Sequence, residues 1–357
     1  MPEVNSPEQV VEVFRNAGLV GAGGAGFPTY FKYLNPPPIL IVNAEEGEPG
    51  YEADKLILHN YVDEFQEVLN TLKEIFGFER IIIGAKDKDE DDLKYLEDKF
   101  EIAYTESTYG MGEERWLTKA VTGIEVPADE IPPQYGVTVN NVETVYNMYR
   151  ALFLEQPVTD KFFNVYGEVA EQRVYLAPIG TYVVDILGIT GVITTRSHKL
   201  MVIDGGPMMG DRVDVGQYGI KKTTNGLLIA EKSLYSGNQQ AFKYLEDKDV
   251  PIWGDTLPVI MDKLGLSRYL DWDPQPDDII DLRDKVERVR ISVQQNQVGK
   301  PSQPTVEVGQ EVKVGDVIGE PVEGDIKDIA NLSIALHASI DGVVKEVSED
   351  AIVIERT

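Results

Sequence analysis

Gly21, Gly23 and Gly26 lie in the stretch GLVGAGGAGFPTYFK (18–32) at the spacing G-x-G-x-x-G, and Gly24 makes four glycines in six positions. So many missing side chains leave a bare backbone surface. Its amide N–H groups can cradle a phosphate, or a flat ring can lie directly on it. Phe27 and Lys32 follow, a ring and a cation that could offset a phosphate or a reduced ring. Three further stretches carry polar groups suited to a ligand. NAEEGEPG (43–50) brings Asn43, Glu45, Glu46 and Glu48 directly after an apolar run. Carboxylates at the end of a buried strand suit sugar hydroxyls rather than phosphate. YGMGEERWL (109–117) offers Tyr109, Gly112, Glu113 and Glu114, and VNNVET (139–144) offers Asn140, Asn141 and Thr144. Each has a plainer reading as well. The acids suit a solvated turn or a helix start, and either Asn suits an N-cap.

The elements that position these residues decide what the glycines can be. A dinucleotide fingerprint needs a strand before the glycines and a helix opening at the third. Here a helix precedes them: Ser6 and Gln9 form a capping box, Pro7 fits the first turn, and Val10, Val11, Phe14 and Ala17 recur at helical spacing. Pro28 follows two residues after Gly26. The ordinary Rossmann turn is therefore ruled out by context, although Glu45 lies where a ribose-binding acid would be expected. ILIVN and RIIIGAK read as buried strands, YVDEFQEVLNTLKEIFG and DEDDLKYLEDKF as helices, and YGVTVNNVETVYNMYRALF as strand, turn and helix. This alternation predicts an α/β domain, Rossmann-like, three-layered and with a parallel sheet, over 1–155.

Short β-rich runs follow (FNVYGEV, RVYLAP, GTYVVDIL, KLMVIDGG), predicting a small β domain over 156–230. Residues 231–285 read as a mixed helical linker with a helix near Leu257–Leu264 and a connection at Pro274–Asp278. Residues 286–357 carry V-x-x-G-x-x-V-x-x-G-D, which resembles the barrel-sandwich hybrid of biotinyl and lipoyl carriers. A carrier lysine would sit between methionines at a hairpin tip. Lys327 has none beside it, so a structural module is the expectation.

The net charge of -28 argues against a nucleic-acid backbone as partner. There is no cysteine in the 357 residues, which excludes disulfides and cysteine-ligated clusters or zinc within them, and the three histidines (His59, His198, His337) are scattered. No metal site is expected. No run approaches a membrane span and the N-terminus lacks the features of a signal peptide, so a cytoplasmic chain is expected.

Taken together, the four stretches resemble the NADH- and FMN-binding subunit family of respiratory complex I and its relative in the Rnf electron-transport complex, the RnfC subunit. That family carries G-x-G-G-x-G-F-P-T-x-x-K, N-x-[DE]-E-x-E-P, Y-x-x-G-x-E and N-N-V-x-T in this order. Ala22, where the complex I protein usually has Arg, together with GGPMMG (205–210) and KKTTNGLLI (221–229), favours the Rnf branch. The resemblance implies a β-grasp domain of the soluble-ligand-binding (SLBB) type at 156–230. It also implies FMN across Gly21, Gly23, Gly24 and Gly26, with Asn43, Glu45, Glu46, Asn140, Asn141 and Thr144 near its ribityl and phosphate groups. NADH would stack beside Phe27 and contact Lys32, Glu48, Tyr109, Glu113 and Glu114, with Gly112 allowing close approach. Hydride would pass from nicotinamide to flavin without a catalytic acid or base. The C-terminal position of the barrel module resembles the cobalamin reductase of propanediol utilisation; in RnfC it is N-terminal. Relatives carry cysteine motifs for iron–sulfur clusters after NGLL, whereas EKSLYSGNQQAFKYLEDKDV (231–250) has none. The implied function is a flavoprotein that oxidises NADH and passes electrons to a partner protein or a corrinoid. The alternatives are a non-catalytic scaffold component of an Rnf-like complex and a cobalamin reductase.

Overall fold

The computed structural model describes residues 4–192, 199–232, 253–270, 274–295 and 298–357. His198 and most of the cysteine-free stretch 231–250 lie outside them. Four apolar runs pair as β1 (Ile39–Ala44), β2 (Arg80–Lys86), β3 (Glu101–Thr105) and β4 (Val137–Asn141), all parallel, in the order β3-β2-β1-β4. The helices around this sheet are α1 (Pro7–Asn16), α2 (Thr29–Lys32), α3 (Ala53–Asn60), α4 (Val62–Phe76), α5 (Glu90–Leu93), α6 (Glu114–Thr122) and α7 (Val142–Phe153). Alternate side chains of β1 bury against opposite layers, as strand periodicity requires. Leu40 and Val42 join a core with Phe65 and Leu69 of α4 and Val145 and Met148 of α7, while Ile41 packs with Leu117 of α6 and Val139. The domain is thus three-layered. Between β1 and β4 the strand order reverses. Such a switch point opens a crevice at the carboxyl ends of the two strands, where open α/β sheets bind ligands.

Two local readings need correction. DEDDLKYLEDKF is only one α turn and a 3-10 turn (Lys94–Leu96), because Leu93 and Leu96 are its only buried apolar anchors. It leads into β3, an edge strand whose sequence EIAYT is too polar to stand out. GTYVVDIL is not a strand. From Val183 it folds as α8 (Val183–Thr190), burying Val183 and Ile186 at helical spacing and leaving Val184 exposed. A short apolar run does not distinguish the two by itself. The α1 cap also differs in detail. Ser6 Oγ accepts from Gln9 N–H at 3.4 Å, but the Gln9 side chain reaches back to Asn5 N–H at 2.8 Å, one residue earlier than in a capping box.

The second sheet contains β5 (Asp160–Gly167), β6 (Arg173–Pro178), β7 (Leu200–Asp204), β8 (Asp211–Arg212), β9 (Gly226–Glu231) and β10 (Ile279–Asp281), in the order β10-β6-β5-β9-β7-β8. β5 and β6 form an antiparallel hairpin, and β9 lies parallel to β5. Between β7 and β8 lies the single turn α9 (Gly206–Met209). β10 comes from the region expected to be a mixed linker, which also holds the expected helix, Leu257–Leu264. The C-terminal residues form two small sheets. One joins β11 (Arg288–Ser292), β13 (Glu311–Val312), β16 (Gly342–Val347) and β17 (Ala351–Glu355). The other joins β12 (Gln303–Pro304), β14 (Val317–Glu320) and β15 (Leu336–His337).

Buried polar contacts weld the first two sheets. Lys161 of β5 forms a fully buried ion pair with Glu143 of α7, and Arg150 grips Asp160 through two bonds of 2.5 and 3.0 Å. Tyr166 of β5 donates its hydroxyl to Pro49 O at 2.8 Å, and Asn164 Nδ2 donates to Gly50 O at 3.1 Å. The turn after β1 is therefore fixed by the neighbouring sheet. Gly50 is required there: its φ is +82°, and a Cβ would lie 2.5 Å from the Tyr166 ring.

Candidate functional site

The glycine loop is a tight excursion pinned at its base. Gly21 N–H donates to Phe27 O at 2.9 Å, Gly26 N–H to Gly21 O at 3.1 Å, and Thr29 N–H to Leu19 O at 3.0 Å. Its tip lies on the start of α7. Ala22 N–H donates to Thr144 Oγ1 at 2.9 Å, and a Cβ on Gly23 would stand 3.3 Å from that of Asn141. The loop thus crosses the switch point from outside the sheet, reaching it before β1 rather than leading out of it. Below the loop, buried Lys222 donates to Gly18 O at 2.7 Å and to Ala335 O at 3.5 Å, joining all three parts of the chain. Burial pulls this ammonium down to about 7.

Lys32 Nζ donates to Val139 O at 2.6 Å and to Glu114 Oε1 at 2.9 Å, and lies 5.9 Å from the centre of the Phe27 ring. Of the Asn pair, Asn141 is the α7 N-cap, accepting from Glu143 N–H at 2.9 Å and donating to Asp54 at 2.5 Å. Asn140 turns into the core and donates to the Tyr33 hydroxyl at 2.9 Å. Glu113 caps α6 and pairs with Arg115 at 2.8 Å, which matches the helix-start reading.

The acidic turn is largely enclosed. Glu45 is fully buried. One oxygen accepts from Thr105 at 2.7 Å, and the other has no hydrogen-bond partner. Burial pushes its carboxyl up to about 7, against the opposing pull of Thr105 and Lys86. Glu46 adopts φ +44° and accepts from Lys55 N–H at 2.9 Å, while its carbonyl accepts from buried Lys86 at 2.8 Å. Its second oxygen is also unpartnered, and burial followed by the Glu52 and Asp54 charges holds its carboxyl well above the usual range. Positive φ in a non-glycine residue stores strain and is common at ligand sites. Asn43 bridges the turn to the next loop, accepting from Glu45 N–H at 3.0 Å and donating to Gly112 O at 3.1 Å. Gly47 and Gly112 touch backbone to backbone; a Cβ on Gly112 would lie 2.7 Å from Gly47 Cα.

Glu48 reaches the second sheet. Its Oε1 accepts from Met208 N–H at 2.5 Å and Met209 N–H at 3.4 Å, capping the GGPMMG turn. The residue keeps some exposed surface, but its carboxylate is enclosed, and burial outweighs the two N–H bonds to push it up to about 8. Gly206 is essential to this contact, since a Cβ there would meet Glu48 Cγ at 2.2 Å. Tyr109 is buried beside Met208 and 5.7 Å from the Trp253 ring, and Gly110 N–H donates to Trp253 O at 3.0 Å.

Loop, acidic turn, Tyr109–Gly112 loop and α7 start therefore converge on one end of the first sheet. Sequence reasoning missed Asp54, Lys86 and Thr105, which are drawn in by strand pairing and helix packing over long separations. Bare glycine backbone over the start of α7 fits a flat cofactor, and the acidic turn at the same end of the sheet holds two buried carboxylate oxygens without a partner.

An open parallel sheet with a glycine loop over its switch point is an architecture that binds cofactors at the carboxyl ends of its strands. Residues 14–150 match the Nuo51 FMN-binding domain, and residues 277–356 match the RnfC barrel-sandwich hybrid domain. The chain is a homologue of cobalamin reductase PduS of Salmonella typhimurium, 32% identical over 64% of this chain and 51% of that protein. It is likewise a homologue of RnfC, a component of the ion-translocating oxidoreductase complex, from Pseudomonas aeruginosa, 31% identical over 63% of this chain and 30% of that protein. It spans about half the length of the first and under a third of the second. An NAD+-reducing [NiFe]-hydrogenase in the H2-reduced state shares the fold, with TM-score 0.53 and 23% identity over 64% of this chain and 47% of that one. Among the described residues no helix is long and apolar enough to cross a membrane.

Proposed function

We propose that this chain is a flavoprotein electron-transfer subunit that binds FMN at the β1/β4 switch point, takes hydride from NADH and delivers electrons to a partner. The observation that carries the reading is the glycine loop laid on the start of α7 within a segment that matches an FMN-binding domain. FMN, when bound, supplies a two-electron acceptor that releases electrons singly. The chain's own residues do the rest. Gly21, Gly23, Gly24 and Gly26 would leave bare backbone for the ring to lie on. Asn43, Glu45, Glu46, Asn141 and Thr144 would hold the polyol and phosphate, while Asn140 is held by the Tyr33 hydroxyl in the core. Phe27, Lys32, Glu48, Tyr109, Gly112, Glu113 and Glu114 would form the nicotinamide side, where Lys32 would offset negative charge. Catalysis here is positioning and exclusion of water rather than acid–base chemistry.

The reading includes an FMN/NADH domain over 1–155, a soluble-ligand-binding β-grasp over 156–230 and a barrel-sandwich module over 286–357. The β-grasp is supported by the hairpin-helix-strand order and the parallel β5–β9 pair. These residues hold no cysteine to ligate a cluster, so the acceptor we propose lies outside them, a partner protein or a corrinoid. The corrinoid has specific support in the likeness to cobalamin reductase and the C-terminal barrel. FMN-reconstituted protein mixed anaerobically with NADH should lose its flavin absorbance. A flavin band unchanged by NADH overturns the oxidoreductase reading. Reoxidation of the reduced protein by a corrinoid would select the second acceptor.

A further inference from the structure

The KKTTNGLLI stretch enters β9 through a rigid turn. Lys221 N–H donates to Thr224 Oγ1 at 3.0 Å, and Thr224 donates to Asp204 at 2.8 Å. Asn225 O accepts from Asn164 N–H at 3.0 Å, Gly226 O accepts from Gly205 N–H at 2.9 Å, and Lys222 reaches the loop base. The turn therefore cannot shift to suit one side chain. Within it, Asn225 is only 6% exposed, and its amide oxygen is buried without a hydrogen-bond partner. Buried amide oxygens are seldom left so. The amide also lies beside the glycine loop, with its nitrogen the nearer atom: a Cβ on Gly24, whose φ is +115°, would stand 3.5 Å from Asn225 Nδ2. Glycine is required at that position on backbone grounds alone.

Resting on the flavin reading, we propose that Asn225 is a cofactor-binding residue contributed by the second sheet, its amide oxygen accepting a hydrogen bond from the bound flavin nucleotide. The available donors are of two kinds, the imide N–H at ring position 3 and the ribityl hydroxyls. The bond would link the second sheet directly to the cofactor, so the flavin site is built by two sheets rather than one. Because the oxygen has no protein partner, truncating Asn225 should leave the melting temperature of the flavin-free protein close to that of the wild type.

The test is a double-mutant cycle between side chain and ligand, using the full chain. FMN, N3-methyl-FMN and lumiflavin, which lacks the ribityl chain, are titrated into wild type and Asn225→Ala. FMN should bind Asn225→Ala about tenfold more weakly, the size of one hydrogen bond. If the penalty vanishes with N3-methyl-FMN, the donor is the imide. If it vanishes with lumiflavin, the donor is a ribityl hydroxyl. An equal penalty with all three flavins, or none with FMN, overturns the proposal while leaving the flavin reading intact. Failure of the wild type itself to bind FMN overturns both. Should the alanine variant not fold, Asn225→Leu, which keeps the volume, carries the same comparison.

Discussion

Replacing Glu45 with Gln should change stability with a sign that depends on pH. Glu45 is fully shielded from solvent, and burial raises its carboxyl from an ordinary 4.5 to about 7. A carboxyl whose folded value is raised leaves the folded state holding the proton when the unfolded chain has lost it. Its contribution to stability is complete below 4.5 and disappears as pH rises through about 7. At about 1.36 kcal/mol per pH unit, ionisation costs the folded protein about 3 kcal/mol by pH 8, as a ceiling, of which about 2.5 kcal/mol falls between pH 5 and pH 8. Glutamine never ionises, so it escapes this cost. It loses something in exchange. The oxygen without a partner becomes an NH2 group needing an acceptor, a penalty of about 1 kcal/mol at any pH. Glu45→Gln should therefore be less stable than the wild type at pH 5 and more stable by about 2 kcal/mol at pH 8. Urea denaturation of both flavin-free proteins at the two pH values measures this. Subtracting the wild type removes the general effect of the net charge of -28, which both proteins share within one. A difference of the same sign and size at both pH values would refute the burial argument for Glu45.

Three other perturbations test separate parts of the site. Gly112→Ala places a methyl group 2.7 Å from Gly47 Cα, so it should destabilise by about 1–3 kcal/mol and weaken FMN binding together; a neutral result in a thermal melt contradicts the close approach. Glu143→Ala leaves Lys161 buried without its counter-charge and should cost about 3–5 kcal/mol in denaturant titration, far more than any exposed pair of this protein. Lys32→Met removes a cation that binds Glu114 and Val139 O, and it should raise the KM for NADH about tenfold in a dye-linked assay, one lost charge-assisted contact. An unchanged KM for NADH would move the nicotinamide away from Lys32.

Strands with continuous apolar runs were readable because a parallel sheet covered on both faces demands them. ILIVN and RIIIGAK are such strands, and β4 follows from YGVTVNN. The failures have one cause each. EIAYT lies at a sheet edge and lacks that hydrophobic demand, and the valines and isoleucine of GTYVVDIL suit helix and strand alike until packing decides. At the site, glycine spacing exposed the loop, and the helix before it excluded the usual dinucleotide turn. What the loop touches was not legible, because Ala22 and Thr144 are 122 positions apart and meet only after β4 is placed beside β1. Polar motifs also look alike whether they serve a ligand or the fold. Asn140 and Asn141 are adjacent in VNNVET, yet one supports Tyr33 in the core and the other caps α7. Glu45 and Asp54 owe their raised carboxyls to burial, which depends on the whole fold.

Lys222 makes the barrel module's place in space independent of its place in the chain. One buried ammonium holds the carbonyls of Gly18 and Ala335, from opposite ends of the sequence, and Ser339 adds a bond to Ile179 O at 2.6 Å. These contacts would persist if the module were joined to the chain's other end, provided a connecting segment could span the gap. Lengthening such a connection costs only about 0.6 kcal/mol per doubling. Gene rearrangement could therefore move the module from one terminus to the other without disturbing the base of the glycine loop.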